Sequence, residues 1–385
     1  MESVQLVSPC HFGLEAVLKR ELTDLGLSIV RTEDGKVHYE GGLGSIARAN
    51  LFLRTAERVL LKVGEFKAES FEELFERVKA LPWEAYLPKD GKVWVAKANS
   101  VKSKLFSPSD IQSIVKKAIV ERLKSAYHTE IIPETGAEYP LRISILKDLV
   151  TVGLDTSGVS LHKRGYRTDT VKAPISETLA AALILLTPWK ADRILVDPFT
   201  GSGTIPIEAA LMAAGIAPGL NREFTAEKWT NFLPKKVWYE ASVEALDLQK
   251  TGVHTEIQGY DIDPSCIRFA KENAARAGVS DLIHFQVRDV KDLSHRKKYG
   301  FLITNPPYGE RLSEKEELGP LYRTIGERFA MLDSWSMYLI TSYEDAEAMI
   351  GRKADKNRKI YNGMLKTYFY SFLGPRPPKT SREES

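Results

Sequence analysis

The sequence has few of the features that mark secreted, metal-binding or membrane proteins. It has two cysteines in 385 residues, too few for a disulfide framework or a cysteine-rich metal site, and this favours a reducing compartment. The seven histidines show no metal-ligand spacing. No apolar run approaches the roughly 20 residues of a membrane span, and the polar start Met-Glu-Ser lacks the apolar core of a secretory signal. We therefore expect a cytoplasmic protein without a metal and without membrane association.

The chain also lacks a strong excess of charge of either sign. Its formal net charge is +3, from 54 basic and 51 acidic residues, so any surface for a polyanion must be a local patch. The apolar fraction of 43% is ordinary for a globular protein. At 385 residues we expect two or three domains.

One stretch organises the C-terminal half: Arg193-Ile-Leu-Val-Asp-Pro-Phe-Thr-Gly-Ser-Gly-Thr204. A short apolar run ends in Asp197, two glycines follow, and a helical pattern begins at Thr204, which is typical of a cofactor site at the carboxyl end of a parallel sheet. The turn lacks the Gly-Lys-Ser/Thr sequence that ends a phosphate-binding P-loop, and it lacks the third glycine of a dinucleotide-binding fingerprint. An acidic strand end would repel a pyrophosphate but suits a cation, and S-adenosylmethionine (SAM) carries a sulfonium and an ammonium group.

A second apolar run, from Phe301, ends in Asn305-Pro306-Pro307-Tyr308, and a further acidic strand end, Asp261, lies between the two motifs. The region 215–250 is an insertion rich in aromatic residues, which we expect to be ordered and packed against the sheet rather than stacked on bases. The first 160 residues read as two small α+β units. A basic stretch at 161–175 follows them, and a tail at 374–385 is predicted to be disordered.

The glycine turn, Gly259-Tyr-Asp-Ile-Asp263, Asn305-Pro-Pro-Tyr-Gly-Glu-Arg311 and Lys163-Arg-Gly-Tyr-Arg167 resemble THUMP-domain SAM-dependent RNA methyltransferases. The likeness is greatest to bacterial enzymes that act on guanine N2 of 23S rRNA, which are often labelled adenine-specific DNA methylases. The resemblance implies an α/β class: a Rossmann-like, seven-stranded, mostly parallel methyltransferase domain at 176–373. A ferredoxin-like unit at 1–65 and a THUMP-like RNA-binding domain at 66–160 would precede it.

The resemblance also implies residue roles. Asn305 and the Pro306 carbonyl would accept the two hydrogens of an exocyclic amine, and Tyr308 would stack on a flipped base. Pro307 would stiffen the loop. The SAM-binding residues would be Asp197, Thr200, Gly201, Gly203, Thr204, Asp261, Ile262 and Asp289. The RNA-binding residues would be Lys102, Lys104, Lys116, Lys117, Lys163, Arg164, Arg167 and Arg311, although a solvated basic face explains several of them equally well.

We therefore predict methyl transfer from SAM to guanine N2 of RNA, with 23S rRNA as the expected partner. The alternatives within enzymes are guanine-N2 methylation of tRNA and adenine-N6 methylation of DNA. From another class, the chain could be a non-catalytic RNA-binding protein of ribosome assembly. The sequence does not fix the target nucleotide or the oligomeric state. Because it holds one methyltransferase domain, we expect any second activity of this family to lie on another chain.

Overall fold

The computed structural model describes residues 3–168, 174–308, 315–363 and 365–378. The chain forms two compact units. Unit 1 comprises Met1–Cys10, Leu18–Leu161 and Gly219–Asp247, and unit 2 comprises His11–Val17, His162–Pro218 and Leu248–Ser385. Within the predicted basic stretch 161–175, residues 169–173 lie outside the described residues, and so do residues 379–385 of the predicted tail.

Unit 1 is built on one seven-stranded sheet. Its strands are β1 (Val4–Pro9), β2 (Ser28–Glu33), β3 (Lys36–Gly41), β4 (Leu60–Lys67), β5 (Lys92–Val101), β6 (Glu138–Leu146) and β7 (Leu149–Asp155). Its helices are the greater part of α1 (Glu15–Asp24), α2 (Gly44–Phe52), α3 (Phe71–Lys79), α4 (Pro108–Ala126) and α7 (Lys235–Asp247). The strand order is β2-β3-β1-β4-β7-β6-β5, so the two α+β units predicted from the sequence share one continuous sheet through the β4–β7 pair.

Local sequence signals explain several of these elements. Asp34-Gly35 makes the turn between β2 and β3, with Gly35 at a φ of +74°. Helix α3 begins after Ser70, whose hydroxyl accepts the N–H of Glu73. Helix α4 begins after Ser107, with Pro108 in its first turn. These caps satisfy N–H groups that the helices themselves leave unpaired.

Three aromatic residues of the predicted insertion, Phe224, Trp229 and Trp238, are buried, but in the core of unit 1, whereas Phe232 is half-buried and Tyr239 is exposed. The Trp229 ring stacks on Tyr139 of β6 with centroids 5.0 Å apart, and its indole N–H donates to the Glu138 carbonyl at 2.8 Å. Phe224 stacks on Trp238 of α7 at 5.3 Å. Burial of several large rings is the main stabilisation that the insertion can offer this sheet.

Helix α7 of the insertion is also fixed by charge. The Arg48 guanidinium on α2 makes a two-pronged ion pair with Glu244 on α7, with both N–O distances at 2.8 Å. Gly219 lies so close to the backbone of α2 that a Cβ atom on it would be 2.7 Å from the Leu51 Cα atom. Only glycine fits there.

Unit 2 contains a second seven-stranded sheet with helices around it. Its strands are β8 (Leu195–Asp197), β9 (Ile257–Asp261), β10 (Ile283–Val287), β11 (Phe301–Thr304), β12 (Ser336–Thr341), β13 (Lys356–Asn362) and β14 (Leu365–Phe372). Its helices are α5 (Glu177–Leu185), α6 (Thr204–Ala213), α8 (Pro264–Arg276), α9 (Lys315–Ala330) and α10 (Ala346–Ile350).

The strand order in unit 2 is β10-β9-β8-β11-β12-β14-β13. The first five strands are parallel, and β14 pairs antiparallel with both β12 and β13. The predicted α/β class with a mostly parallel, seven-stranded sheet is confirmed. In this order β8 and β11 are central neighbours, although more than 100 residues separate them in the chain. Their carboxyl ends therefore lie side by side.

A short segment from the start of the chain completes unit 2. Leu14 and Val17 are buried in its apolar core. The His11 ring lies 3.0 Å from the Tyr361 carbonyl through Nδ1 and 3.2 Å from the Ser176 hydroxyl through Nε2. Among the described residues, no helix is long and apolar enough to cross a membrane.

Candidate functional site

The carboxyl edge of the unit 2 sheet gathers the acidic and amide side chains singled out in the sequence. Strand β8 ends at Asp197, β9 ends at Asp261, and β11 ends at Thr304 directly before Asn305. Since β9, β8 and β11 are parallel neighbours, these three strand ends meet at one edge. The edge of an open parallel sheet is where such folds bind ligands.

The turn after β8 depends on its glycines. Gly201 and Gly203 have φ values of +50° and +85°, in the left-handed region that glycine adopts without strain. A Cβ on Gly203 would lie 2.9 Å from the Ala270 Cβ on α8, so this glycine also permits close packing of two helices. Helix α6 follows at once, with Gly203 as its N-terminal cap residue.

Asp197 is the most unusual ionisable group at this edge. Its side chain is 1% exposed, and burial raises the pKa of its carboxyl group to about 7. Two hydrogen bonds oppose that rise: the Thr304 hydroxyl donates at 2.6 Å and the Phe199 N–H donates at 3.1 Å, both to Oδ1. A buried carboxyl group with this pKa has much to gain from a cation placed beside it.

Asp261 holds the glycine turn in place. One carboxylate oxygen accepts the Gly201 N–H at 2.9 Å, and the other accepts the Asp263 N–H at 3.0 Å. Burial raises the pKa of Asp261, and these N–H donors oppose that rise. The next residue, Ile262, is 68% exposed although it is apolar. The carboxylate thus positions the turn, and an uncovered apolar side chain lies next to it.

Three further predicted cofactor residues lie around this turn. The buried Thr200 hydroxyl has no hydrogen-bond partner within the described part of the chain. The Thr204 hydroxyl lies 3.5 Å from the Arg167 guanidinium. Asp289 accepts the Lys291 N–H at 2.9 Å and pairs with the Lys291 ammonium, and these contacts lower its pKa. Asp289 therefore caps a short 3-10 turn just beyond the end of β10.

The residues Asn305–Tyr308, called here the acceptor loop, follow β11. Asn305 is half-buried, Pro306 is buried and Pro307 is exposed. The buried Tyr322 hydroxyl on α9 donates to the Pro307 carbonyl at 3.1 Å and also contacts the Thr341 hydroxyl at 2.6 Å. The loop is thus held at its start by β11 and in its middle by α9. Two prolines and this anchor restrict the directions in which its oxygens point.

Sequence reasoning missed the two hydroxyl groups that support this site, Thr304 and Tyr322. The signal for Thr304 was its position directly before Asn305. No local signal marked Tyr322, because its contact with Pro307 depends on how α9 packs.

Cys266, at the start of α8, is buried and free. Burial, together with the nearby carboxylates of Asp261 and Asp263, raises the pKa of its thiol to about 12. A thiol with this pKa is almost entirely protonated at neutral pH and is a poor nucleophile.

The lysines predicted to bind RNA occupy mixed environments. Lys102, Lys104, Lys117 and Lys163 are exposed. Lys104 pairs with Glu69, and the Lys117 ammonium lies 5.7 Å from the Phe75 ring centre. Lys116 is half-buried and contacts the Val93 carbonyl and the Glu134 carboxylate. An ion pair between exposed side chains, such as that of Lys104 with Glu69, contributes little to stability.

The two arginines of the basic stretch are a correction to the predicted RNA surface. The Arg167 side chain is 7% exposed and pairs with the buried Glu177 at 2.5 Å. Arg164 is 3% exposed and lies 3.5 Å from the fully buried Glu208. Because both guanidinium groups neutralise buried carboxylates, the structure does not present them to RNA. Arg311 lies outside the described residues.

Comparison with known proteins matches three domains along the chain. A methyltransferase domain described as RMKL-like matches residues 164–370. A ferredoxin-like domain described from RlmL matches residues 5–60, and a THUMP domain matches residues 68–155.

Individual relatives match over nearly the whole chain. YpsC of Bacillus subtilis strain 168, provisionally named an RNA methyltransferase, is 47% identical over 387 residues, with full coverage of both chains. The ribosomal RNA large subunit methyltransferase K/L of Shewanella baltica strain OS195 is 35% identical over 367 residues, which are 93% of this chain and 51% of that protein. This chain thus spans about half the length of the K/L relatives.

A solved structure extends the comparison to the fold. SMU.472, provisionally assigned as a methyltransferase and solved in complex with SAH, is 44% identical with a TM-score of 0.93. The match covers 98% of this chain and all of that one. With its ferredoxin-like and THUMP domains followed by a methyltransferase domain, the chain belongs to the RMKL-like methyltransferase family.

Proposed function

We propose that this protein transfers a methyl group from SAM to N2 of a guanine in 23S rRNA, and that the guanine is drawn out of its helix to react. The observation that carries the proposal is the 2.6 Å hydrogen bond from the Thr304 hydroxyl to Asp197. This bond links the end of β11, which leads into the acceptor loop, to Asp197, the buried acid directly before the glycine turn. A cofactor site and an amine-binding loop at one strand edge fit methyl transfer to nitrogen.

The side chains present fit SAM. A buried carboxyl group with a raised pKa suits the ammonium group of a methionine moiety, and Asp197 would face it. Asp261, at the next strand end, would accept ribose hydroxyls, and the exposed Ile262 would pack on the adenine ring. When bound, SAM supplies an electrophilic methyl group. SMU.472, 44% identical to this chain, binds SAH, the product that SAM leaves after methyl transfer.

The acceptor loop supplies orientation rather than covalent chemistry. The lone pair of an exocyclic amine is delocalised into the ring, so the nitrogen is a poor nucleophile. If the Asn305 side-chain oxygen and the Pro306 carbonyl accept its two hydrogens, the nitrogen becomes pyramidal and its lone pair points along one direction. Acceptors that are already fixed need no rearrangement during the reaction. Methylation leaves an acidic ammonium-like nitrogen, whose proton passes to water.

RNA as the substrate class rests on the THUMP domain and on the relatives. The K/L relatives are named as large-subunit rRNA methyltransferases, and YpsC is named provisionally as an RNA methyltransferase. Guanine N2 rests on the resemblance of the acceptor loop, because this loop binds the hydrogens of an amine and does not itself separate guanine from adenine.

The experiment is transfer of tritium from labelled SAM to total RNA from a strain lacking this gene, followed by nucleoside analysis. We expect N2-methylguanosine in 23S rRNA. The Asn305→Ala variant should lose about 100-fold or more in rate while it still binds SAM in calorimetry. A matched control is Asn221→Ala, since Asn221 is an exposed asparagine of unit 1 and its loss should change neither quantity.

The other outcomes are distinct. Label in tRNA would keep the reaction and change the substrate. N6-methyladenine in DNA, with no label in RNA, would overturn the RNA proposal. No label in any nucleic acid, with SAM still bound, would favour a binding role in ribosome assembly.

A further inference from the structure

The hairpin formed by β13 and β14 reaches the acceptor loop at its tip. Its last paired residues are Asn362 and Leu365, and the Asn362 side-chain amide donates to the Tyr308 hydroxyl at 3.4 Å. Tyr308 is the residue of the acceptor loop expected to stack on the reacting base. Side chains that pack on this end of the hairpin would therefore lie next to the bound nucleotide.

A segment from the other end of the chain packs on this hairpin. The Phe12 ring meets the Tyr361 ring edge-on, with centroids 5.6 Å apart. The backbone of the segment is fixed as well: Arg358 donates to the Gly13 carbonyl at 3.0 Å, and a Cβ on Gly13 would lie 2.5 Å from the Lys359 carbonyl. With a φ of +93°, Gly13 is a position that glycine alone suits. The segment is thus seated on the hairpin by several independent contacts.

Despite this precise seating, the Phe12 ring is not buried. It is 41% exposed, whereas Leu14, two residues later, is fully buried. Exposed aromatic rings on a rigid support are the usual stacking partners of unpaired bases. The Phe12 ring contacts the Tyr361 ring, and Asn362, the next residue of β13, contacts the Tyr308 hydroxyl of the acceptor loop.

The charge beside these rings suits a nucleic-acid backbone. Strand β13 begins Lys356-Asn-Arg-Lys359, and all four residues are exposed on the edge strand of the sheet. The Lys359 ammonium lies 5.0 Å from the Tyr361 ring centre. Three cations in four residues, next to the exposed Phe12 ring and the half-buried Tyr361 ring, combine the two features that single-stranded RNA requires.

We infer that Phe12 and Tyr361, flanked by the cations of β13, bind the unpaired nucleotides next to the target base by stacking and phosphate contact. This inference rests on the proposed function for its substrate, and it gives that substrate a local structure: the target base must lie in a single-stranded loop or in a helix opened on one side. The segment His11–Val17 is then part of substrate recognition, although it is remote from the methyltransferase motifs in sequence.

The test compares Phe12→Leu, which keeps an apolar side chain but removes the stacking face, with Phe12→Trp, which keeps a face. The matched control is Tyr239→Leu, because Tyr239 is a 72% exposed ring on α7 of unit 1. Two quantities are measured: KM and kcat for methylation of total RNA from a strain lacking the gene, and the Kd of each variant for that RNA by filter binding. Thermal unfolding of each variant shows whether the fold is intact.

We expect Phe12→Leu to raise the RNA KM and Kd about tenfold, in the lower part of the range for one base–aromatic stack. Its kcat and SAM affinity should stay unchanged, and Phe12→Trp and Tyr239→Leu should resemble the parent. Lys356→Gln should instead lower the slope of log Kd against log salt by about 0.7, the value for one phosphate contact on a single strand. A change in Kd without a change in salt dependence thus indicates loss of stacking, and a change in salt dependence indicates loss of a phosphate contact.

Equal RNA affinity of the parent and Phe12→Leu would overturn the inference, and so would equal losses in Phe12→Leu and Tyr239→Leu. A fall in kcat without a change in KM or Kd would also overturn it, because Phe12 would then act on the acceptor loop rather than on RNA. Filter binding does not depend on turnover. A parent that binds RNA but methylates none of it would therefore count against the proposed function while the inference is still decided by Kd.

Discussion

Replacing Asp197 by asparagine is expected to stabilise the protein at neutral and alkaline pH while it abolishes cofactor binding. Asparagine has the same shape, and its oxygen can still accept the Thr304 hydroxyl and the Phe199 N–H. It removes the ability to ionise and replaces the other carboxyl oxygen by an amide NH2 group. The parent carboxyl group is buried, and its pKa is raised from 3.8 to about 7. Ionising this group in the folded protein without a cation beside it is therefore unfavourable.

The size of the effect follows from proton linkage. Because the folded-state pKa is above the ordinary value, the folded state holds the proton more tightly than the unfolded chain does. The contribution of Asp197 to stability is therefore present at low pH and is lost as pH rises from about 4 through 7. The advantage of Asp197→Asn over the parent should grow by roughly 2–3 kcal/mol between pH 5 and pH 8.

The assay is urea or thermal unfolding of both proteins without SAM at several pH values from 5 to 8.5. Groups remote from Asp197 titrate alike in the two proteins, so the difference between the two stability curves reports on Asp197 together with Asp261, whose charge acts on it. Added SAM should stabilise the parent alone, and its affinity should fall below pH 7 as Asp197 takes up a proton, by up to about tenfold per pH unit. Parallel stability curves for the two proteins across this pH range would refute the reasoning.

Three further substitutions test other parts of the structure. Tyr322→Phe should lower the free energy of unfolding by about 1–2 kcal/mol and reduce kcat with SAM affinity unchanged, because the acceptor loop loses its anchor. Gly203→Ala should lower the free energy of unfolding by about 1–3 kcal/mol more than Gly278→Ala does, as measured by urea unfolding. Both glycines have positive φ, but only at Gly203 would the added methyl group clash with a neighbour. Trp229→Ala should destabilise unit 1 by about 3–5 kcal/mol, while Tyr239→Ala should change unfolding by less than about 0.5 kcal/mol.

The sequence predicted those parts of the fold that local pattern determines. The apolar run before Asp197, the turn at Gly201 and the start of α6 all lie where spacing placed them. In each case, the residues that decide the structure are neighbours in the chain.

The parts that the sequence did not predict depend on contacts between distant residues. The β4–β7 pair joins two α+β units into one sheet, and no short pattern encodes which strand edges meet. The burial of Arg167 depends on Glu177 and on the elements packed around both. A run of basic residues reads the same in sequence whether its side chains face solvent or neutralise buried acids.

Because Gly219–Asp247 belongs to unit 1, the core of unit 1 is completed late during synthesis of the chain. Unit 1 ends its first long stretch at Leu161, but Trp229 and Trp238, which complete its core, are translated only after strand β8 of unit 2. At roughly 5–20 residues per second, a ribosome needs on the order of 4–17 seconds to pass from 161 to 247. Until residue 229 is added, Tyr139 on the nascent chain lacks the Trp229 indole that covers it in the folded protein. A chaperone that shields aromatic surfaces during synthesis would have its substrate here, and a chain stopped at 161 would keep that surface open.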